Sequence, residues 1–307
     1  MKKIIVGSRR SELAMTQAKQ FLKTLTDAHP ELEIEIKEIV TKGDKILDVQ
    51  LSKVGGKGLF IKEIEQALLE GEIDIAIHSM KDVPSELHED LTIACVPPRE
   101  DMRDAYIAKD DVLFKDLPAG SVVGTSSLRR QAQLLGLRDD IKVEWIRGNI
   151  NTRLEKMRTG NYDAIILAAA GIKRMGWDDI VTEYFSVEDF VPAVAQGALG
   201  IEVRKDNREL LDILKSVESE EDRICVTAER TFLNRMDGSC HVPIGGYAEY
   251  EDGELYLTGL IMDKEGNEKF LVKKSHDNAV ELGNLVADEM EKIGAKELLE
   301  AYNEEHE

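Results

Sequence analysis

The sequence predicts an α/β fold with two doubly wound lobes and a small α+β domain at the C-terminal end. Short apolar runs alternate with amphipathic segments of helical period over 4–83 and again over 103–175, which predicts the two lobes. Closely spaced strand patterns near 245–251, 254–262 and 269–274 predict a three-stranded antiparallel sheet in the small domain. The predicted boundaries are 1–98 with 199–217 for lobe 1, 103–193 for lobe 2, and 220–307 for the C-terminal domain.

Lobe 1 opens with a buried strand at 4–6 and a helix that begins after Ser11, a residue type favoured as an N-cap. Strand patterns at 32–36 and 73–77, with a helix pattern over 57–70 between them, complete a β-α-β-α-β order. This order favours a largely parallel sheet with helices on both faces.

Lobe 2 follows the same order without evident sequence repetition. Its strand patterns lie at 121–124, 141–146 and 162–168, and each leads into a helix pattern. A further strand pattern at 200–203, with a helix near 207–217, is expected to cross back into lobe 1. Ligands of such sheets bind at the carboxyl ends of the strands, so we expect a site in the cleft between the lobes.

Composition and charge exclude several classes of function. The formal net charge of −20 over 307 residues argues against non-specific nucleic-acid binding. No apolar run approaches the roughly 18 residues of a membrane helix. Cys95, Cys225 and Cys240 have no metal-ligand spacing. We therefore expect a cytoplasmic protein with no metal, no membrane segment and no nucleic-acid partner.

Cationic and hydroxyl residues follow several of the strand patterns, where free N–H groups at helix starts attract anions. Singly, each of them could be an N-cap or a solvated side chain. Together they are too many for one phosphate, and because arginine binds carboxylates in a bidentate manner, they favour a ligand with several carboxylates. They lie in the segments 7–11, 78–82, 124–130 and 147–153, with Lys173 and Arg174 after the strand pattern at 162–168.

Asp82 and Cys240 are the candidates for chemistry. Asp82 follows a strand beside Lys81, where it could stabilise positive charge on a nitrogen heterocycle or shuttle a proton; an N-cap or an ion pair with Lys81 is the alternative. Cys240 lies in a Gly-rich turn and could be a nucleophile, a point of covalent attachment, or an incidental thiol. His78 is more simply explained as a packed residue at a strand end.

Five ordered motifs resemble the porphobilinogen deaminase family. They are 78–84 (His-Ser-Met-Lys-Asp-Val-Pro), 123–131 (Val-Gly-Thr-Ser-Ser-Leu-Arg-Arg-Gln), Arg-Gly-Asn with Thr-Arg in 147–153, Pro-Ala-Val with Gln-Gly in 192–197, and Gly-Ser-Cys with Val-Pro in 238–243. Two residues depart from the family pattern: Glu12 stands where many relatives have proline, and Ala195 where glycine is frequent.

The resemblance implies lobes like those of periplasmic solute-binding proteins and a transferase activity. Such an enzyme joins four porphobilinogen molecules head to tail into hydroxymethylbilane, releasing ammonia, in haem biosynthesis. The resemblance also implies a dipyrromethane cofactor held by a thioether to Cys240, and Asp82 as the catalytic carboxylate that faces the pyrrole nitrogens. The resemblance further implies a set of residues that bind the acetate and propionate groups of substrate and cofactor: Arg9, Ser11, Lys81, Thr125, Ser127, Arg129, Arg130, Arg147, Arg153, Arg174 and Gln196. It adds Lys53 and Lys57 to this set, and it suggests a monomer.

Two other functions stay open on the sequence alone. One is a non-catalytic anion-binding protein of the solute-binding kind, which is disfavoured by the third domain and by an N-terminus without a secretion signal. The other is a nucleic-acid-binding regulator, which is less favoured still because no basic stripe stands outside the expected site.

Overall fold

The structure is a computed structural model that describes residues 3–41, 61–236 and 242–304. The chain divides into two compact units: unit 1 comprises Met1–Glu100 and Gly197–Arg223, and unit 2 comprises Asp101–Gln196 and Ile224–Glu307. Lys53, Lys57 and Cys240 lie outside the described residues. The division into three domains stays a prediction.

Unit 1 is built around a mixed sheet whose strands are numbered along the whole chain. Its described elements are β1 (Ile4–Arg9), α1 (Glu12–Ala28), β2 (Ile34–Ile39), α2 (Lys62–Leu69), β3 (Ile75–Ser79), a 3-10 turn (Met80–Asp82), β4 (Leu91–Cys95), β10 (Leu199–Arg204) and α6 (Arg208–Lys215). The strand order is β2-β1-β3-β10-β4. The first three strands are parallel, and β10 runs antiparallel to β3 and β4, so the segment near 200 does cross back as predicted.

The core of unit 1 follows from the amphipathic pattern of its first helix. The Ser11 side chain accepts a hydrogen bond from the backbone N–H of Ala14 and so caps α1, as predicted. Phe21 and Leu25 on the inner face of α1 pack against Ile75 of β3 in one buried cluster. The opposite face of the sheet packs against α2.

Unit 2 contains a second mixed sheet and the C-terminal sheet. Its described elements are β5 (Asp104–Ala108), a 3-10 turn (Phe114–Asp116), β6 (Val122–Gly124), α3 (Leu128–Leu137), β7 (Lys142–Glu144), α4 (Ile150–Thr159), β8 (Ala164–Ala168), α5 (Ala169–Met175), a 3-10 turn (Asp178–Ile180), β9 (Glu183–Tyr184), α7 (Glu220–Arg235, which begins in unit 1), β11 (Ile244–Glu251), β12 (Glu254–Met262), β13 (Lys269–Ser275), α8 (Ala279–Lys292) and α9 (Ala295–Glu304).

The mixed sheet of unit 2 repeats the arrangement found in unit 1. Its order is β7-β6-β8-β5-β9, with β6 parallel to β7 and β8, and β5 antiparallel to β8. Strands β5 and β9 were not predicted from the sequence. The C-terminal sheet has the predicted antiparallel order β11-β12-β13. The predicted fold class, two doubly wound α/β lobes with a small α+β domain, is confirmed.

Candidate active site

The carboxyl edge of the unit 1 sheet collects the residues that follow β1 and β3. These strands are parallel, and Gly7 is paired with Ala76, so Arg9 and Ser11 leave the sheet at the same edge as Ser79. The Gln17 side chain on α1 donates a hydrogen bond from Nε2 to the Ser79 Oγ at 3.1 Å. The first helix is therefore joined to the end of β3.

Asp82 lies in the 3-10 turn that follows β3. The backbone N–H of Met80 donates to the Ala198 carbonyl at 3.0 Å, and that of Val83 donates to the Met80 carbonyl at 3.1 Å. Met80 is buried, whereas Asp82 is exposed. The backbone and the Met80 side chain therefore anchor the turn, and the Asp82 carboxylate remains accessible.

His78 is a packed residue at a strand end, as expected, and its partner is an acid. Its ring Nε2 lies 2.8 Å from the Glu202 Oε2 on β10, and both side chains are buried. Burial raises the pKa of Glu65 on α2, and the negative charge of Glu202 raises it further. Two acidic residues, Glu202 and Glu65, therefore lie near the end of β3, on the face of the sheet that α2 covers.

The predicted hydroxyl residues at the carboxyl edge of the unit 2 sheet accept hydrogen bonds from the backbone. The Thr125 Oγ1 accepts a hydrogen bond from the Ser127 N–H at 3.2 Å, and the Ser127 Oγ accepts one from the Arg130 N–H at 3.4 Å. The capping alternative is thus realised for Ser127, the N-cap of α3. Each hydroxyl still has its own hydrogen to donate to an anion.

Arg130, Arg147 and Arg153 form what we term the arginine cluster of unit 2. Burial lowers the pKa of Arg153 to about 10, and the neighbouring positive charges of Arg130 and Arg147 lower it further. The Arg153 Nε donates to the Gly148 carbonyl at 2.9 Å. Gly148 has φ +124°, and a Cβ there would lie 2.5 Å from the Thr152 Cβ, so the loop requires glycine.

Asp104, which the sequence analysis did not single out, is the counter-ion of two arginines. Its carboxylate lies 2.8 Å from the Arg129 Nη1, and it accepts hydrogen bonds from the Arg130 Nη2 at 2.6 Å and the Gln196 Nε2 at 3.0 Å. Burial on its own would raise the pKa of Asp104, but Arg129 and Arg130 outweigh it and lower that pKa to about 2. Asp104 is therefore an ionised carboxylate within the protein.

Arg129 and Gln196 belong to the same internal network. The Arg129 Nη1 also donates to the Val191 carbonyl at 2.7 Å, and the Gln196 Nε2 to the Met102 carbonyl at 2.8 Å. Arg129 is 4% exposed and Gln196 is fully buried. Arg130 likewise donates to Asp104 and, from Nη1, to the Ile166 carbonyl at 3.0 Å. The described geometry thus assigns all three side chains structural contacts, and their predicted role in ligand binding stays a prediction.

The remaining predicted cation of unit 2 is Arg174, which lies on α5, the helix that follows β8 at the same edge of the sheet. Its neighbour Lys173 forms an ion pair with Asp101 at 2.8 Å, and Asp101 also binds Arg103 through two carboxylate oxygens. Lys173 is therefore committed to an acidic partner.

The fold and these edges define a class of protein. It is an α/β protein with two similar mixed sheets, one of which gathers arginine side chains suited to a ligand with several carboxylates, while the other presents an accessible aspartate at the end of a strand. No helix in the described part of the chain is long and apolar enough to cross a membrane.

Comparisons with known proteins identify the family. Residues 4–212 match the model of the porphobilinogen deaminase dipyromethane cofactor binding domain, and residues 223–292 match the porphobilinogen deaminase C-terminal domain. The porphobilinogen deaminase of Staphylococcus carnosus is 60% identical over 99% of this chain and 100% of its own, and that of Staphylococcus aureus is 56% identical over 100% of both. The chain belongs to the porphobilinogen deaminase family.

Similar solved structures include a YaeC-family lipoprotein of Enterococcus faecalis and an arginine-specific periplasmic binding protein of Salmonella typhimurium. The first has a TM-score of 0.43 and 16% identity, covering 72% of this chain and 93% of its own. The second has a TM-score of 0.41 and 16% identity, covering 71% of this chain and 92% of its own.

The expected activity and cofactor are confirmed by the family. The protein is a transferase of tetrapyrrole biosynthesis that joins four porphobilinogen molecules into hydroxymethylbilane with release of ammonia, and its cofactor is dipyrromethane. The residues present suit that group, because its side chains are carboxylates and the arginine cluster supplies several guanidinium donors in one place.

Proposed function

We propose that Asp82 is the catalytic carboxylate and that the arginine cluster binds carboxylates of substrate and cofactor. The observation that supports this most strongly is that burial, together with the neighbouring positive charges of Arg130 and Arg147, lowers the pKa of Arg153 to about 10. Cations held so close together repel one another, and an anionic ligand relieves that repulsion. A substrate with two carboxylates, added four times, needs such a site.

Asp82 suits a role in charge stabilisation. When porphobilinogen loses ammonia, the pyrrole becomes electron-poor, and positive charge spreads to its nitrogen after the next pyrrole carbon attacks. A fixed carboxylate near that nitrogen stabilises the developing charge. Asp82 is accessible and stands on a turn whose backbone is hydrogen-bonded to Ala198, the residue before β10. When bound, the cofactor supplies the pyrrole from which the chain is extended.

The other predicted residues complete the proposal. In unit 1, Arg9, Ser11 and Lys81 would bind acetate and propionate groups, and in unit 2 Thr125, Ser127 and Arg174 would do the same, with Lys53 and Lys57 as further ligands outside the described residues. We also propose that the enzyme works as a cytoplasmic monomer and that Cys240 carries the cofactor.

Arg153→Gln tests the arginine cluster. It removes one charge from the cluster and should raise the KM for porphobilinogen by roughly tenfold to a hundredfold, equivalent to about 1.5–3 kcal/mol for a lost charged hydrogen bond. The matched control is Arg158→Gln, because Arg158 stands on the same helix but is exposed. Equal KM values for the two variants would contradict the proposed role of the cluster.

Intact-mass measurement tests the attachment at Cys240. Purified protein should carry an added mass of two pyrrole units, and Cys240→Ala should lack it. Cys225→Ala serves as the control, since Cys225 is buried within unit 2. A wild-type chain of unmodified mass with full activity would contradict covalent attachment.

A further inference from the structure

The turn that joins β12 to β13 in the C-terminal sheet packs backbone against backbone on α3. A Cβ added at Gly266 would lie 2.5 Å from the Ala132 carbonyl oxygen and would overlap the backbone nitrogen of Gly136. A Cβ added at Gly136 would lie 3.1 Å from the Gly266 carbonyl oxygen. Real Cβ atoms do not approach backbone atoms as closely as the first of these contacts, so only glycine at 266 permits this approach.

Side-chain contacts on both sides of this backbone contact also join α3 to the C-terminal sheet. Ala132 of α3 is fully buried in one cluster with Leu260 and Met262 of β12. The Gln131 Nε2 donates a hydrogen bond to the Lys264 carbonyl at 3.3 Å. Leu134, on another side of α3, packs into the core of the unit 2 mixed sheet. Helix α3 is therefore held between the mixed sheet and the C-terminal sheet.

The start of α3 carries functional groups. Ser127 caps the helix, and Arg130, a member of the arginine cluster, lies in its first turn. A helix of ten residues is about 15 Å long and moves as a rigid rod, so a displacement where Ala132 and Gly136 meet the turn also displaces Arg130. The position of the turn at Gly266 therefore affects the position of Arg130 in the arginine cluster, the proposed ligand site.

We propose that Gly266 and Gly136 are positioning residues, through which the C-terminal sheet sets the place of α3 and hence of Arg130. This inference rests on the proposed role of the arginine cluster. Arg130 would bind substrate carboxylates equally in the ground state and the transition state, so a displaced helix should raise KM and leave kcat nearly unchanged. A loss of folded protein would lower the apparent kcat instead.

Gly266→Ala compared with Gly253→Ala tests the proposal in the cofactor-loaded enzyme. Both glycines stand in turns of the C-terminal sheet with similar positive φ, +80° and +88°, but a Cβ at Gly253 has no heavy atom within 4 Å. The two variants therefore share backbone strain and differ in the contact with α3. Gly266→Ala should raise KM for porphobilinogen by roughly tenfold with kcat within about twofold of wild type, and Gly253→Ala should leave KM within about twofold.

Gly136→Ala keeps the test decisive if Gly266→Ala does not fold. Alanine favours a helix more than glycine does, so α3 itself should become more stable, while the new Cβ presses on the Gly266 carbonyl and on the Met262 side chain. A KM raised by about threefold to tenfold, with an unfolding temperature equal to or above that of wild type, would support positioning.

The outcomes separate this inference from the proposed function. Intact mass shows whether each variant carries the cofactor, and Arg153→Gln shows whether the cluster binds substrate. If Arg153→Gln raises KM but the folded variant at Gly266 or at Gly136 leaves it unchanged, the positioning role is wrong and the cluster stands. If Arg153→Gln has no effect on KM, the proposed function of the cluster fails first.

Discussion

The two mixed sheets each place a fully buried carboxylate on their antiparallel strand, and the two carboxylates have different partners. In unit 1, Glu202 on β10 binds the ring of His78, and its Oε1 has no hydrogen-bond partner among the described residues. In unit 2, Asp104 on β5 binds both Arg129 and Arg130. The buried carboxylate of the antiparallel strand thus binds a single histidine in one sheet and two permanent cations in the other.

This difference separates the chemistry of the two sheets. Two arginines and one aspartate leave unit 2 with a net positive charge at its carboxyl edge, which suits the binding of carboxylates. In unit 1 the buried acid faces the titratable ring of His78, and the turn after β3 carries another acid, the exposed Asp82. The described edge of unit 2 is thus the more cationic one, and the described edge of unit 1 exposes a carboxylate.

Asp104→Ala should show the largest effect on stability. It leaves two buried guanidinium groups without their counter-ion, and we expect a loss of about 3–5 kcal/mol in the free energy of unfolding. Glu202→Gln should cost no more than about 1 kcal/mol, because a neutral amide is cheaper to bury and can keep a hydrogen bond to His78. Urea denaturation measures both. Equal losses in the free energy of unfolding would contradict the difference proposed between the two carboxylates.

The pH dependence of stability should have opposite signs in the two units. The pKa of Asp104 is lowered to about 2, so its contribution of about 2 kcal/mol is present above pH 4 and is lost as the pH falls towards 2. The pKa of Glu65 is raised by burial and by Glu202, so its contribution is present at low pH and is lost as the pH rises through that raised pKa.

Difference titrations check these signs. The stability gap between wild type and Asp104→Asn should shrink on acidification below pH 4. Glu65→Gln should gain stability relative to wild type as the pH rises above the ordinary glutamate range. A gap that moves the other way in either pair would show that the assigned cause of that pKa shift is wrong.

Ala195→Gly should have the smallest effect. Ala195 is buried with φ +59°, a left-handed conformation that costs a residue with a Cβ, and its N–H donates to the Glu229 Oε2 at 2.5 Å. Glycine keeps that N–H and removes the strain, so thermal or urea unfolding should show a gain of about 1 kcal/mol. Ala198→Gly, at a buried residue without a positive φ, should instead lose stability; a loss in both variants would contradict the strain at Ala195.

The local patterns of the sequence predicted most of the fold. The first helix begins directly after Ser11, as that N-cap indicated, and the three C-terminal strands lie within about one residue of their predicted bounds. Strand β5 was missed because its partner, β8, is distant in the chain and its first residue is an aspartate, a poor strand former.

The sequence indicated which residue types form the candidate site, but not which of its charged residues pair with one another. Arg129 and Arg130 were recognised as cations, yet their counter-ion, Asp104, lies about 25 residues away in sequence and shows no motif with them. The left-handed backbone at Ala195 was equally hidden, since alanine gives no sign of it. Contacts of this range depend on tertiary packing, which local periodicity does not encode.

The most direct test of the division between the units compares Asp82→Asn with Arg153→Gln in one steady-state assay of porphobilinogen consumption, using enzyme shown by mass to carry its cofactor. We predict that Asp82→Asn lowers kcat by roughly a hundredfold to a thousandfold with little change in KM, and that Arg153→Gln raises KM with little change in kcat. If both substitutions changed the same parameter, or if Asp82→Asn kept wild-type kcat, the account of Asp82 as catalytic and the arginine cluster as binding would be contradicted.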